Sequence, residues 1–209
     1  MLEGWRYFLQ QAKTAVSPDV FFAARVSEIF TQKPLMNPSA AAQFSTCDFC
    51  DAHKNDETDA FRWLTPSFQS FGGREVFSGP VSTVQCYEDN TPVKAAVESA
   101  GHGRVLVVDG GGSMRRALMG GNLAGAAARN GWAGVVVYGC VRDAAELRAC
   151  SLGIRALALV PMPTQRRSTG LRDVALQIQG VWVRPGDWLY ADADGMVISS
   201  DPLLGEHRV

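Results

Sequence analysis

The chain has 209 residues, of which 46% are hydrophobic and 20% are charged, and its formal net charge is −1. These values predict a globular protein with one domain, an extension and a substantial core. The net charge of −1 excludes a strongly basic surface for direct binding of nucleic acid. The sequence also has no apolar run of about 20 residues, so it predicts no membrane span.

The cysteines and the first residues bear on where the protein resides. Five cysteines, an odd number, fit reduced thiols in the cytoplasm better than a disulfide framework. The opening segment MLEGWRYFLQQAKTAV lacks the charged start, apolar centre and small-residue end of a secretory signal. We therefore expect a cytoplasmic protein.

Residues 1–40 are interpreted as an N-terminal extension, and residues 41–209 as the main domain. In the extension, Trp5, Phe8 and Phe21 predict one or two helices whose apolar faces pack on the core. The alternative is a contact that stabilises an oligomer or binds a partner protein.

The main domain is expected to begin with a helix that Ser45 or Thr46 caps. Cys47 and Cys50 form a C-x-x-C pair, but no second pair completes the four ligands of a zinc site. We therefore expect these thiols to serve as small core residues. The polar segment 54–74, including the 54–68 loop, is interpreted as an insertion.

Strands and helices are expected to alternate through the rest of the chain. Buried strands are predicted over 76–87, 105–108, 135–138 and 154–160, and helices over 92–100 and 122–130, with a further helical stretch after Ser113. Residues 174–183 alternate as an edge or half-buried strand does. Tyr190–Gly195 resembles a calcium loop but lacks its length and last glutamate, so a turn is expected.

Two glycine-rich turns and an Arg-Asp pair form the candidate site. Gly110–Gly112 follow one strand, Gly120 and Gly121 open a helix, and Arg142 and Asp143 follow the next strand. Amides at a helix start favour an anion, and the arginine fork suits a carboxylate. Asp143 is expected to point elsewhere and hold a hard cation such as Mg²⁺ among waters.

Together these groups describe a site for a 2-oxo acid, in which a metal acts as a Lewis acid for an enolate. The alternatives are a plain tight turn at Gly110–Gly112 and a surface ion pair at Arg142 and Asp143. The segment GGGSMRRA has no P-loop ending and no dinucleotide spacing. Arg166, Arg167 and Arg172 are expected to be exposed, with the alternative that one binds a di- or tricarboxylate.

Several stretches, in order along the chain, identify a family. They are TCDFCDAH (Thr46–His53), GPVSTV (Gly79–Val84), DGGGSMRRALMGGNLA, NGWAGVVVYGCVRD, Gly153-Ile154 and RPGDWLYADADGMVIS (Arg184–Ser199). The chain resembles the RraA-like proteins, which include the regulator of ribonuclease activity A and the metal-dependent 4-hydroxy-4-methyl-2-oxoglutarate aldolases. The resemblance implies an α/β fold, a β/β/α three-layer sandwich of the swivelling-domain type, in a ring-like trimer with sites between subunits.

The resemblance to the aldolases implies that, in this chain, Arg142 binds substrate and Asp143 holds the divalent metal, Mg²⁺ or Mn²⁺. The backbone amides that hold the substrate carboxylate are those of Gly120, Gly121, Asn122 and Leu123. The aldolases also carry an acid 21 positions before the arginine, where this chain has Gly121. An acidic residue, Glu146, follows the Arg-Asp pair instead.

The resemblance therefore implies a divalent-metal-dependent lyase for small 2-oxo acids. Its reaction is 4-hydroxy-4-methyl-2-oxoglutarate-type aldol cleavage, oxaloacetate decarboxylation or both. The absence of an acid at position 121 favours an alternative, a non-catalytic protein that binds and inhibits a ribonuclease or an RNA-degrading complex. A third alternative is a scaffold whose cleft binds an unidentified anion.

Overall fold

The computed structural model describes residues 44–204. The expectations for residues 1–40 lie outside the described residues and stay predictions. Within the described part, none of the helices has the length and apolar character needed to cross a membrane.

The described chain contains four helices and twelve strands. The helices are α1 (Thr46–His53), α2 (Thr91–Val97), α3 (Gly121–Arg129) and α4 (Ala144–Ala149). The strands are β1 (Phe61–Trp63), β2 (Gln69–Ser70), β3 (Phe77–Gln85), β4 (Val105–Asp109), β5 (Ala117–Met119), β6 (Gly134–Val141), β7 (Gly153–Leu159), β8 (Leu171–Arg172), β9 (Leu176–Ile178), β10 (Val181–Val183), β11 (Trp188–Ala191) and β12 (Met196–Ser199).

Strand β3 joins two parts of the main sheet. Its first residues, 77–80, pair antiparallel with β11, which continues to β12 and β1. Its later residues, 81–85, pair in parallel with β4, followed by β6 and β7. One long strand therefore connects an antiparallel region to a parallel region.

The parallel region is buried on both faces, as parallel sheets are when both sides are covered. Leu106 and Val108 face a core that the helices α2, α3 and α4 share. Val105 and Val107 face a second core, built with β9, β10, β11 and β12. The helices α2 to α4 thus cover one face of the parallel strands and β9 to β12 cover the other, which confirms the expected mixed α/β fold.

Phe77 shows why two glycines lie in the sheet. A Cβ added to Gly134 or to Gly153 would overlap the Phe77 ring. Both positions lie opposite each other on β6 and β7. The missing side chains let the aromatic ring from β3 lie directly on the backbone of two parallel strands, and so tie the antiparallel and parallel regions together.

Several local expectations are confirmed. Ser45 caps α1, since its hydroxyl oxygen accepts a hydrogen bond from the N–H of Asp48 at 3.2 Å. Helix α2 carries Pro92 in its first turn. Asp192 accepts hydrogen bonds from the N–H groups of Asp194 and Gly195, as expected for a turn between strands.

Three expectations are wrong. The segment after Ser113 forms β5 rather than a helix, because pairing with β6 outweighs the helix propensity of its residues. Residues 174–183 form a hairpin, β9–β10, with a turn in which Gln179 and Gly180 have φ of 52° and 85°. Cys47 is exposed rather than in the core.

Candidate functional site

The glycine turn and the Arg-Asp pair meet because β5 and β6 are parallel neighbours. Met119, the last residue of β5, pairs with Val141, the last residue of β6. The N–H of Arg142 also donates to the carbonyl oxygen of Met119 at 2.9 Å. Since the two strands end side by side, the residues that follow them, Gly120 on one and Arg142 on the other, lie together.

Gly120 is required at this junction because the side chains of Arg142 and Asp143 leave no space for a Cβ. It caps α3 in an extended conformation, with φ −142° and ψ −172°, which any residue can adopt. A Cβ at this position, however, would overlap Oδ2 of Asp143 and lie 3.1 Å from Cγ of Arg142. The glycine therefore lets both side chains lie against the start of the helix.

Arg142 and Asp143 form an ion pair, in contrast to the expectation that Asp143 points elsewhere. Nε of Arg142 lies 3.6 Å from Oδ2 of Asp143, and the side chains are 40% and 36% exposed. Asp143 is the N-cap residue of α4 and has φ 63° and ψ 50°. For a residue other than glycine this left-handed conformation costs about 1 kcal/mol. Residues held in such strained conformations are common at functional sites.

A cavity of about 380 Å³ lies beside the pair. Of the candidate residues, the cavity wall includes Gly120, Asn122, Leu123, Arg142 and Asp143, whereas Gly121 lies outside it.

The cavity also contains basic side chains. Lys94, Arg129 and Arg166 line it, against one further acid, Glu98. The sequence interpretation named Arg166 among three arginines of which one was the alternative ligand of a di- or tricarboxylate, but it missed Lys94 and Arg129. Lys94 pairs with Glu98 at 3.6 Å, which leaves a surplus of positive charge suited to an anionic ligand. Cations on exposed helix positions are common, so the sequence carried no signal that Lys94 and Arg129 share a cavity.

Arg166 reaches the cavity on a loop that a buried aspartate anchors. Asp89 is fully buried, and its Oδ2 accepts hydrogen bonds from the N–H groups of Arg167 and Thr169, both at 2.9 Å. Its Oδ1 accepts from the N–H of Thr91 at 2.9 Å. Burial alone would raise the pKa of Asp89, but the backbone donors of Thr169 and Thr91 outweigh it and hold that pKa well below its usual range.

Asp143 has the chemistry of a ligand for a hard cation. Within the described residues, no group of three or more His, Cys, Asp or Glu side chains could enclose a metal ion. One exposed carboxylate with water in the remaining positions is the arrangement that suits Mg²⁺ and Mn²⁺ rather than zinc. The donor set therefore fits the expected divalent cation.

Gly110–Gly112 form a tight turn. Gly111 and Gly112 both have φ of 65°, a conformation that favours glycine. The N–H of Gly110 donates to the carbonyl oxygen of Tyr138, and that of Gly111 donates to Oδ1 of Asp109. The three glycines do not line the cavity beside Arg142, so the turn interpretation is the one that the geometry favours.

The chain belongs to the RraA-like family, described as Aldolase/RraA, whose model matches residues 46–198. It is 64% identical over 177 residues to a protein of Albidiferax ferrireducens named "Putative 4-hydroxy-4-methyl-2-oxoglutarate aldolase". That alignment covers 81% of this chain and 100% of the relative.

Two solved structures share the fold. The RNA-processing inhibitor RraA from Thermus thermophilis is 44% identical with a TM-score of 0.73, over 79% of this chain and 98% of that chain. A structure named S-adenosylmethionine:2-dimethylmenaquinone methyltransferase, from Geobacillus kaustophilus HTA426, is 43% identical with a TM-score of 0.72, over 77% and 97%.

Proposed function

We propose that the protein is a divalent-metal-dependent lyase for small 2-oxo acids, acting by 4-hydroxy-4-methyl-2-oxoglutarate-type aldol cleavage, by oxaloacetate decarboxylation or by both. The observation that carries the proposal is the placement of Arg142 and Asp143 together on one cavity wall, beside the first turn of α3. The name of the relative that is 64% identical supports it.

Each side chain has a role in this proposal. Asp143 holds the cation, Mg²⁺ or Mn²⁺, through its exposed carboxylate. Arg142 presents a planar set of donors to the substrate carboxylate, and amides of Gly120, Asn122 and Leu123 at the start of α3 contribute further donors. The bound cation supplies Lewis-acid polarisation of the 2-oxo group.

The remaining basic residues favour a substrate with a second carboxylate. Lys94, Arg129 and Arg166 line the same cavity as Arg142. A 2-oxo acid that carries another carboxylate, as both proposed substrates do, complements this positive surplus better than a monocarboxylate does.

Oxaloacetate decarboxylation tests the proposal. With Mg²⁺, the protein should release pyruvate faster than the same metal without protein, and chelator should remove the difference. Asp143→Asn should also remove it, whereas Asp51→Asn, an exposed aspartate on α1, should behave as wild type. The same assay on 4-hydroxy-4-methyl-2-oxoglutarate measures aldol cleavage. Rates at the metal-only background for both substrates would overturn the proposal.

A second candidate function is inhibition of a ribonuclease or RNA-degrading complex by protein binding. It is favoured by the 44% identity to the RNA-processing inhibitor RraA. The measurement is RNA cleavage by a purified ribonuclease complex with increasing amounts of this protein. Unchanged cleavage at a large molar excess, together with no co-purification of the complex, would rule this function out.

A further inference from the structure

Glu146 fills the space beside Gly121. It lies in the first turn of α4 and is exposed. A Cβ added to Gly121 would lie 2.6 Å from Cδ and 2.7 Å from Cβ of Glu146, and would overlap its Oε2. The carboxylate and stem of Glu146 therefore occupy the volume in which a side chain at position 121 would lie.

Space, rather than backbone conformation, requires the glycine here. Gly121 is the first residue of α3 and is not among the glycines with positive φ. A residue with a side chain could adopt this backbone without strain. The side chain of Glu146 lies where it does because position 121 carries no Cβ.

Two carboxylates thus flank one residue. The N–H of Gly121 donates to Oδ2 of Asp143 at 3.1 Å, while Glu146 covers the side-chain position of the same glycine. Arg142 is paired with Asp143, whereas Glu146 takes part in none of the ion pairs formed among residues 44–204. The two carboxylates that flank Gly121 place a second negative charge near the expected metal ligand, which a divalent cation complements. The positive surplus belongs to the wider cavity wall of Lys94, Arg129 and Arg166, to which Glu146 does not contribute.

We propose that Glu146 is a positioning residue for the cation that Asp143 holds. Its carboxylate accepts hydrogen bonds from the water around that cation, and so raises the affinity of a site with a single protein ligand. The inference rests on the proposed function. Side chains that hydrogen-bond to the ligands of a metal, without binding the metal themselves, typically contribute about 10- to 100-fold in metal affinity or activity.

The same geometry defines a relocation variant. Gly121→Asp alone introduces a side chain into space that Glu146 occupies, so one of the two must shift. Glu146→Ala vacates that space. Gly121→Asp combined with Glu146→Ala keeps one carboxylate in the same volume but carries it on α3, where an acid in the first turn is favoured by the helix dipole.

The test measures Mn²⁺ affinity of the full chain by calorimetry, with no substrate present. Glu146→Gln and Glu146→Ala should weaken binding about 10-fold. The double variant, with Gly121→Asp and Glu146→Ala, should recover most of that loss. Glu57→Gln, an exposed glutamate in the loop after α1, should bind as wild type, and the thermal midpoint of Glu146→Gln should stay unchanged.

The outcomes separate this inference from the function on which it rests. If Asp143→Asn leaves Mn²⁺ affinity unchanged, the metal site itself is wrong and the proposed function fails with it. If Asp143→Asn weakens binding but Glu146→Gln does not, only the role of Glu146 is overturned. If Glu146→Ala weakens Mn²⁺ binding and the double variant does not recover it, the role of Glu146 is also overturned, because a carboxylate in the same volume would then not restore the affinity.

Discussion

The N–H of Gly121 donates a hydrogen bond to Oδ2 of Asp143 at 3.1 Å. This contact joins the first residue of α3 to the N-cap residue of α4, and it fixes the carboxylate against the positive end of the longer helix. One of the amides expected to bind a substrate carboxylate is therefore engaged by the expected metal ligand instead, and Gly121 does not line the cavity.

Arg142 should be essential for the lyase reaction. Arg142→Ala removes the charge and the planar set of donors together, and Arg142→Lys keeps only the charge. We expect kcat/KM for oxaloacetate to fall about 10- to 100-fold in Arg142→Ala, the size of a lost hydrogen bond to a charged group. Arg142→Lys should fall between this value and wild type. Arg148→Ala, on the exposed end of α4, is the matched control, and an equal fall in that variant would contradict a specific role for Arg142.

Gly120→Ala should impair the site without unfolding the protein. Its Cβ would displace Asp143 and contact Cγ of Arg142, so both Mn²⁺ affinity and activity should fall. The control is Gly125→Ala within α3, where the added Cβ meets only the end of the Arg129 side chain at 3.1 Å. That variant should be more stable by about 0.5–1 kcal/mol because alanine favours the helix. If Gly120→Ala binds Mn²⁺ as tightly as the wild type does, the close contact between position 120 and Asp143 is not important for metal binding.

The loop that carries Arg166 should depend on ionised Asp89. Asp89→Asn replaces acceptors with an amide that faces the N–H groups of Arg167 and Thr169, so urea unfolding at pH 7 should show a loss of about 2 kcal/mol. Because the pKa of Asp89 is lowered on folding, its contribution is complete above the ordinary value of about 3.9 and is lost as pH falls through the folded pKa. The gap between the two proteins should therefore narrow below about pH 4. A gap of constant size from pH 7 to pH 3 would contradict this cause.

The protein should assemble as a homotrimer or a multiple of it. Large apolar side chains are exposed near the ends of β3, β4 and β7, and Tyr87, Met114, Met162 and Leu171 are each more than half exposed. Tyr87 and Leu171 line the same cavity, and contiguous exposed apolar patches commonly mark protein interfaces. Sedimentation equilibrium should give a multiple of three chains of 22.5 kDa, and Leu171→Asp should shift the protein towards smaller species. A 22.5 kDa species at micromolar concentration in the wild type would rule the trimer out.

The sequence by itself determined the family, through motifs in order from Thr46 to Ser199, and the resemblance to that family implied the mixed α/β fold. The buried strands followed from patterns within about ten residues, because strands buried on both faces read as continuous apolar runs, such as Val105–Val108. Capping by Ser45 and the position of Pro92 in α2 are likewise local effects of a few residues. The candidate residues Arg142 and Asp143 followed from their position after such a strand.

Only the tertiary structure decided what lies beside those residues. The segment Ala117–Met119 became a strand because β6 offered it backbone partners, which no local propensity reveals. The pairing of β5 with β6 then placed Gly120 against Asp143, and α4 placed Glu146 over Gly121. Lys94, Arg129 and Arg166 come from three separate elements, so their shared cavity depends on long-range packing that the spacing of residues along the chain does not encode.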